Sequence, residues 1–142
     1  MVLFNPDVWG PHYWYFLHTI AYSYPLTPNK TTKRKYYDLI YNMPLFIPNE
    51  EIGNKFSQLL DKYPLSPYLD SRDSFTRWVH FIHNKINNIL GKKEIGYLES
   101  LDIYKNSYDP KPIYLSKKMK INKKYIYMAV VLLCLFGIYV YS

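Results

Sequence analysis

The chain holds a single cysteine, Cys134, among 142 residues. No intrachain disulfide can form, and any chemistry that needs two neighbouring thiols has no partner for that one. Alternation of apolar and polar residues is too weak anywhere to argue for a sheet, and no internal repeat is visible. Motifs for a serine nucleophile are missing as well. No acidic residue is clearly placed beside the histidines, so a metal centre built from His80, His83, His12 and His18 finds little support, and none is assigned. The opening residues carry no secretory signal, because Pro6 and Asp7 interrupt the apolar start.

What is present in excess is positive charge, at +7 overall. Its location decides its meaning. Residues 1–104 balance to +1, whereas residues 105–142 balance to +6. A basic face on a folded domain is therefore not indicated, which argues against nucleic acid as a partner. The basic residues Lys117, Lys118, Lys120, Lys123 and Lys124 lie just before an uncharged run from Tyr125 to Tyr141. At ~1.5 Å per residue that run reaches roughly 25–27 Å as a helix, the thickness of a bilayer's hydrocarbon core. Tyrosines stand at both of its ends, as in interfacial belts. The expected organisation is a helical domain over 1–104, a basic juxtamembrane linker over 105–124 and a single-pass anchor over 125–142. The lysines place the N-terminal domain in the cytosol.

Periodicity gives the rest of the architecture. A first helix is expected from near Trp9-Gly10-Pro11, capped by Asn5 or Asp7 and ending before Pro25. Thr31 or Thr32 caps a second, from about Lys33 to Met43, with Pro44 to Pro48 as a break. Asn49 caps a third, about Glu50 to Lys62. Asp70 or Ser71 opens a fourth, whose core stripe is Phe75, Trp78, Val79, Ile82, Ile86, Ile89 and Leu90. Ile95 to about Tyr104 reads as a short fifth. The fold class is all-α: a four-helix bundle with a fifth short helix, followed by a transmembrane helix.

Two polar stripes stand beside the core stripes. Trp14, His18 and Tyr22 are four apart on the first helix, and His80, His83, Asn84 and Asn87 recur on the fourth. Packed together, they would present ring faces and amide hydrogen bonders to a flat heteroaromatic ligand. Equally, they could be satisfied core polar groups. Spacing alone leaves both readings open.

At these positions the chain resembles the FAD-linked sulfhydryl oxidases of the Erv/Alr family. The family's first-helix pattern, W-G-x-x-x-W-x-x-L-H, is met by Trp9, Gly10, Trp14, Leu17 and His18. Its fourth-helix pattern, W-x-C-x-x-H-N-x-V-N-x-x-L-x-K, is met by Trp78, His83, Asn84, Asn87, Leu90 and Lys92, with Ile86 for valine and His80 for cysteine. The tyrosine-rich composition and C-terminal anchor resemble members from giant DNA viruses of the mimivirus type. The resemblance implies an FAD site. Gly10, Trp14, His18 and Tyr22 would serve it from the first helix, His83, Asn84 and Asn87 would hold the adenine and ribose side, and Lys92 would lie near the phosphates. It also implies a homodimer, a redox protein partner, and a place in disulfide formation in viral proteins, on a host membrane or in the virion. One departure is decisive. The family's redox pair, in a P-C-E-E-C context, is here Pro48-Asn49-Glu50-Glu51-Ile52, and neither Asn49 nor Ile52 can exchange a disulfide. The expectation is a family protein defective in thiol oxidation, or else a non-enzymatic membrane-anchored scaffold or partner of an active oxidase.

Overall fold

The computed structural model describes residues 4–109 and 123–141. The chain divides into two compact units, Met1–Tyr108 and Asp109–Ser142. The second unit contributes one described element, α6 (Lys123–Tyr141), with Cys134 exposed on it. The apolar side chains on this helix are exposed. Among the described residues no helix is long and apolar enough to cross a membrane. Most of the expected linker lies outside the described residues.

The first unit is built from α1 (Pro6–Tyr22), α2 (Lys30–Phe46), α3 (Glu50–Lys62), a 3₁₀ turn at Ser66–Tyr68, α4 (Arg72–Ile89) and α5 (Tyr97–Asn106). No strand occurs among the described residues. Each of the first four helices starts on a side-chain cap. Asn5 Oδ1 accepts from the Asp7 amide at 2.9 Å, and Asn29 Oδ1 from that of Thr32 at 2.8 Å. Asn49 Oδ1 accepts from the Ile52 amide at 2.9 Å, and Ser71 Oγ from that of Ser74 at 3.2 Å.

These caps correct several expected boundaries. With Asn5 as cap and Pro6 at the first helical position, α1 begins three residues early and runs through Pro11, which forfeits one intrahelical bond. Asn29, not a threonine, caps α2, and Pro44 sits inside its last turn. The break comes at Ile47, whose amide reaches the Pro44 carbonyl at 3.3 Å. The fifth helix spans 97–106 rather than 95–104, and the first unit ends beyond residue 104.

The core joins α1, α2, α3 and α4 around Phe75, which is fully buried between the rings of Tyr24 and Tyr36. Burying an aromatic side chain of that size contributes roughly 2–3 kcal/mol. Tyr24 is also fully buried and satisfies its hydroxyl on the Leu69 carbonyl at 2.8 Å, while its own carbonyl accepts from Arg72 Nε. Five of the seven core-stripe residues of α4 are buried. Ile89 and Leu90 are not, because they lie where the helix leaves the bundle.

Gly53 marks the tightest approach of α2 to α3. A Cβ there would stand 2.9 Å from the Pro44 carbonyl oxygen. A mid-helix Gly→Ala change normally gains about 1 kcal/mol. Here main chain blocks the methyl, so Gly53→Ala should lose about 1–3 kcal/mol of unfolding free energy in urea titration. A gain would show that α2 yields.

Candidate functional site

A cavity of about 480 Å³ opens between α1, α3, α4 and α5. That lies within the range of ~300–1,000 Å³ typical of small-molecule sites. From α1 it receives Gly10, Trp14 and His18. From α4 it receives His83, Asn84 and Asn87, and Lys92 reaches it from the segment beyond. Seven of the eight residues named for the cofactor thus line one cavity. The eighth, Tyr22, does not. As the last residue of α1 it packs its ring 5.9 Å from His18 and 4.4 Å from Tyr104, beside the wall rather than on it.

The centre of the site is a Trp14–His83–His18 cluster. The Trp14 and His83 rings stack with centroids 4.0 Å apart and planes 10° from parallel. His18 Nε2 and His83 Nδ1 are 3.1 Å apart and share one hydrogen bond. Burial pushes His18 down to about 4, with the neighbouring His80 imidazole adding to it. Burial also pushes His83 down to about 3, aided by His18, His80 and Lys92. Both are therefore neutral at pH 7, so one ring nitrogen donates and the other accepts. His18 Nδ1, on the other side of its ring, is buried with no hydrogen-bond partner. A buried polar atom left unpaired costs about 1–3 kcal/mol, which a polar ligand atom would recover.

Lys92 owes its position to the end of α4. Gly91, at φ 68°, follows the helix in the left-handed region, and the Lys92 amide returns to the Asn87 carbonyl at 2.8 Å. The Gly91 amide bonds the Asn88 carbonyl at 3.1 Å, which completes a Schellman ending. This folds Lys92 back beside the cavity, where Nζ pairs with Asp7 Oδ1 at 2.6 Å. Lys93 lines the cavity next to it.

Asn84 lines the cavity and is also held by main chain. Its Nδ2 donates to the Ile95 carbonyl at 2.9 Å, and its Oδ1 accepts from the Ile95 amide at 3.1 Å. Both ends of the amide are thereby spent on main chain. The wall from α5, formed by Ser100, Ile103, Tyr104 and Ser107, was not expected. Its spacing of three, one and three is a one-face helical pattern, and that was the available signal.

The thiol positions are equally clear. Asn49 caps α3 through its side chain, and Ile52 is buried with its side chain on the cavity wall beside Phe56. Among the described residues no three His, Cys, Asp or Glu side chains are grouped to hold a metal ion. His12 is exposed and is not among the cavity-lining residues.

The chain is similar to known proteins in sequence and in fold. A profile described as the Erv1 / Alr family matches residues 11–108. The chain is 32% identical over 108 residues to the "Probable FAD-linked sulfhydryl oxidase R368" of Acanthamoeba polyphaga mimivirus, which spans 75% of this chain and 76% of that one. It is 32% identical over 99 residues to the FAD-linked sulfhydryl oxidase of African swine fever virus, across 70% of this chain and 82% of the other. The crystal structure of the yeast Erv1 core superposes with a TM-score of 0.67 at 23% identity, covering 77% and 91% of the two chains.

Proposed function

This chain belongs to the Erv1/Alr family, and on that footing we propose that its first unit binds FAD in the α1–α4–α5 cavity but lacks its own dithiol. The observation that carries the reading is the buried, unpaired Nδ1 of His18 in a cavity walled by Trp14 and His83. An apolar, aromatic wall with one unsatisfied polar atom fits a flavin-sized heteroaromatic group. Lys92, paired with Asp7, and Lys93 add basic side chains to the lining that would suit a diphosphate, and Asn87 adds an amide. When bound, FAD would supply the ability to take two electrons from a thiol pair and pass them on.

The chain's own residues bind and orient but do not exchange disulfides. Asn49 is a cap and Ile52 a wall residue, so the dithiol that would feed the site is absent. Cys134 belongs to the other unit. We infer that electrons, if they reach this site, come from a cysteine of a redox protein partner or from a small thiol. Without either, the protein is a scaffold beside an active oxidase.

The full chain, purified in detergent, should retain about one FAD per chain and show a flavin spectrum, while consuming oxygen with dithiothreitol no faster than free FAD does. A colourless protein that ignores added FAD ends the cofactor reading. Rapid turnover ends the claim that thiol oxidation is lost.

From the sequence we also propose that the chain is held on a membrane, that of the host or the virion, although no described helix is long and apolar enough to cross one. Residues 125–141 carry no charge, and their 17 positions reach roughly 25 Å, the lower limit of a span. Lysines precede them, which puts the first unit on the cytosolic side. Recovery of the full chain in the soluble fraction after alkaline carbonate washing of membranes would sink this. Phe16 on α1 and Leu45 and Phe46 on α2 leave apolar surface exposed, which supports a homodimer across that face. Sedimentation of a lone monomer at micromolar concentration would count against it.

A further inference from the structure

The polar face of α4 meets both the cavity and the segment that follows the helix. His80, His83, Asn84 and Asn87 line the cavity. Asp73, Arg77, His80, Asn84 and Asn88 run at steps of four, three, four and four along an adjoining line, and each of the last four touches the segment 94–97. Asn88 Nδ2 donates to Glu94 Oε1. Asn84 takes both the amide and the carbonyl of Ile95, at 3.1 and 2.9 Å. The His80 ring meets the Tyr97 ring edge-on with centroids 5.4 Å apart. The Arg77 guanidinium lies over that same ring, 4.5 Å from its centroid, and is steadied by Asp73 at 2.9 Å.

This grip holds the near end of α5. α5 contains no buried residue. Its far end is tied to α1 by hydroxyl contacts, from Tyr104 to Thr19 at 3.1 Å and from Ser107 to Tyr15 at 3.3 Å, and by the Tyr104 ring, 4.4 Å from that of Tyr22 and 5.4 Å from that of Tyr15. Yet Ser100, Ile103, Tyr104 and Ser107 form a wall of the cavity. An element with no buried residue opens locally at lower cost than the bundle unfolds, and no disulfide is available to prevent it. We propose that Arg77, His80, Asn84 and Asn88 form a noncovalent clasp on residues 94–97 that holds α5 as a detachable wall, so that the clasp governs release of the molecule in the cavity. This rests on the reading that FAD occupies that cavity.

Tyr97 permits a clean test, because it belongs to the clasp and is not among the residues lining the cavity. In the full chain without ligand, Tyr97→Ala and Asn84→Ala should speed amide hydrogen exchange over residues 97–106 about tenfold, the effect of losing one or two net contacts. Amides within α1 and α4 should keep their protection. Tyr97→Phe, which keeps the ring that His80 and Arg77 touch, should behave as the parent. FAD release, followed by flavin fluorescence, should accelerate about tenfold in Tyr97→Ala and not in Tyr97→Phe. Unchanged exchange in α5, or loss of protection in α1 and α4 together with it, would overturn the clasp. A loosened α5 with unaltered FAD release would overturn its control of exit. A parent chain that binds no FAD would instead defeat the cofactor reading, and the exchange measurement would still decide whether the clasp exists.

Discussion

The double substitution N49C/I52C should raise dithiothreitol-dependent oxygen consumption at least tenfold over the FAD-loaded parent, while each single substitution stays at the parent's background. The two positions are the cap and third residue of α3, and Ile52 already lines the cavity. Thiols at a helix N-terminus are favoured as thiolates, the form that attacks disulfides. Glu50 and Glu51 oppose that effect, but both are exposed and screened. Only the pair can form an intrachain disulfide for dithiothreitol to reduce, dithiothreitol leaving as its cyclic disulfide, and the two thiols so formed could return to the disulfide by giving two electrons to bound FAD; a lone cysteine offers no such disulfide. The stability cost is tolerable: about 1 kcal/mol for the lost cap and about 1–2 kcal/mol for the truncated isoleucine. Small domains commonly hold ~5–15 kcal/mol. A folded, FAD-bound double variant no faster than the parent would show that the site has lost more than its thiols.

Much of this site could be read from spacing because α1 and α4 are long, regular and packed against each other. Trp14 and His18, and His83 and Asn87, fall on facing stripes whichever residues surround them. Three features escaped for distinct physical reasons. Tyr22 shares the stripe, but it ends the helix, where its neighbour is Tyr104 rather than the open cavity. Asn84 shares the stripe too, yet its partner is the main chain of Ile95, and a backbone amide leaves no trace in side-chain pattern. The wall from α5 has a one-face spacing, but which segment that face meets is not specified by the local sequence. Helix starts were misjudged wherever asparagine competed with threonine or aspartate for the cap, as at Asn29. The helices of the first unit were legible from periodicity; the expected transmembrane helix finds no support among the described residues, and the closure of the cavity was not legible.

The buried histidine pair gives the second large effect, and its sign follows from where the protons bind. Both imidazoles have folded-state values below the ordinary 6.5, at about 4 for His18 and about 3 for His83. Above pH 6.5 both are neutral whether the chain is folded or not, and they contribute nothing to pH dependence. Between 6.5 and about 4 the unfolded chain takes up protons that the folded one refuses, so stability falls with falling pH. The loss levels off below about pH 3, where both states are protonated. One pH unit corresponds to about 1.4 kcal/mol for each such group, so by pH 5 the pair should lose on the order of 2–4 kcal/mol. The shared hydrogen bond makes the two titrate as a unit. Urea midpoints of the ligand-free chain should stay level from pH 7.5 to about 6.5 and fall from there to pH 5, and His83→Gln should roughly halve that slope. A flat profile over that range would mean that the pair is hydrated, and would remove the argument that the Trp14–His83–His18 cluster forms a dry wall suited to an aromatic ligand.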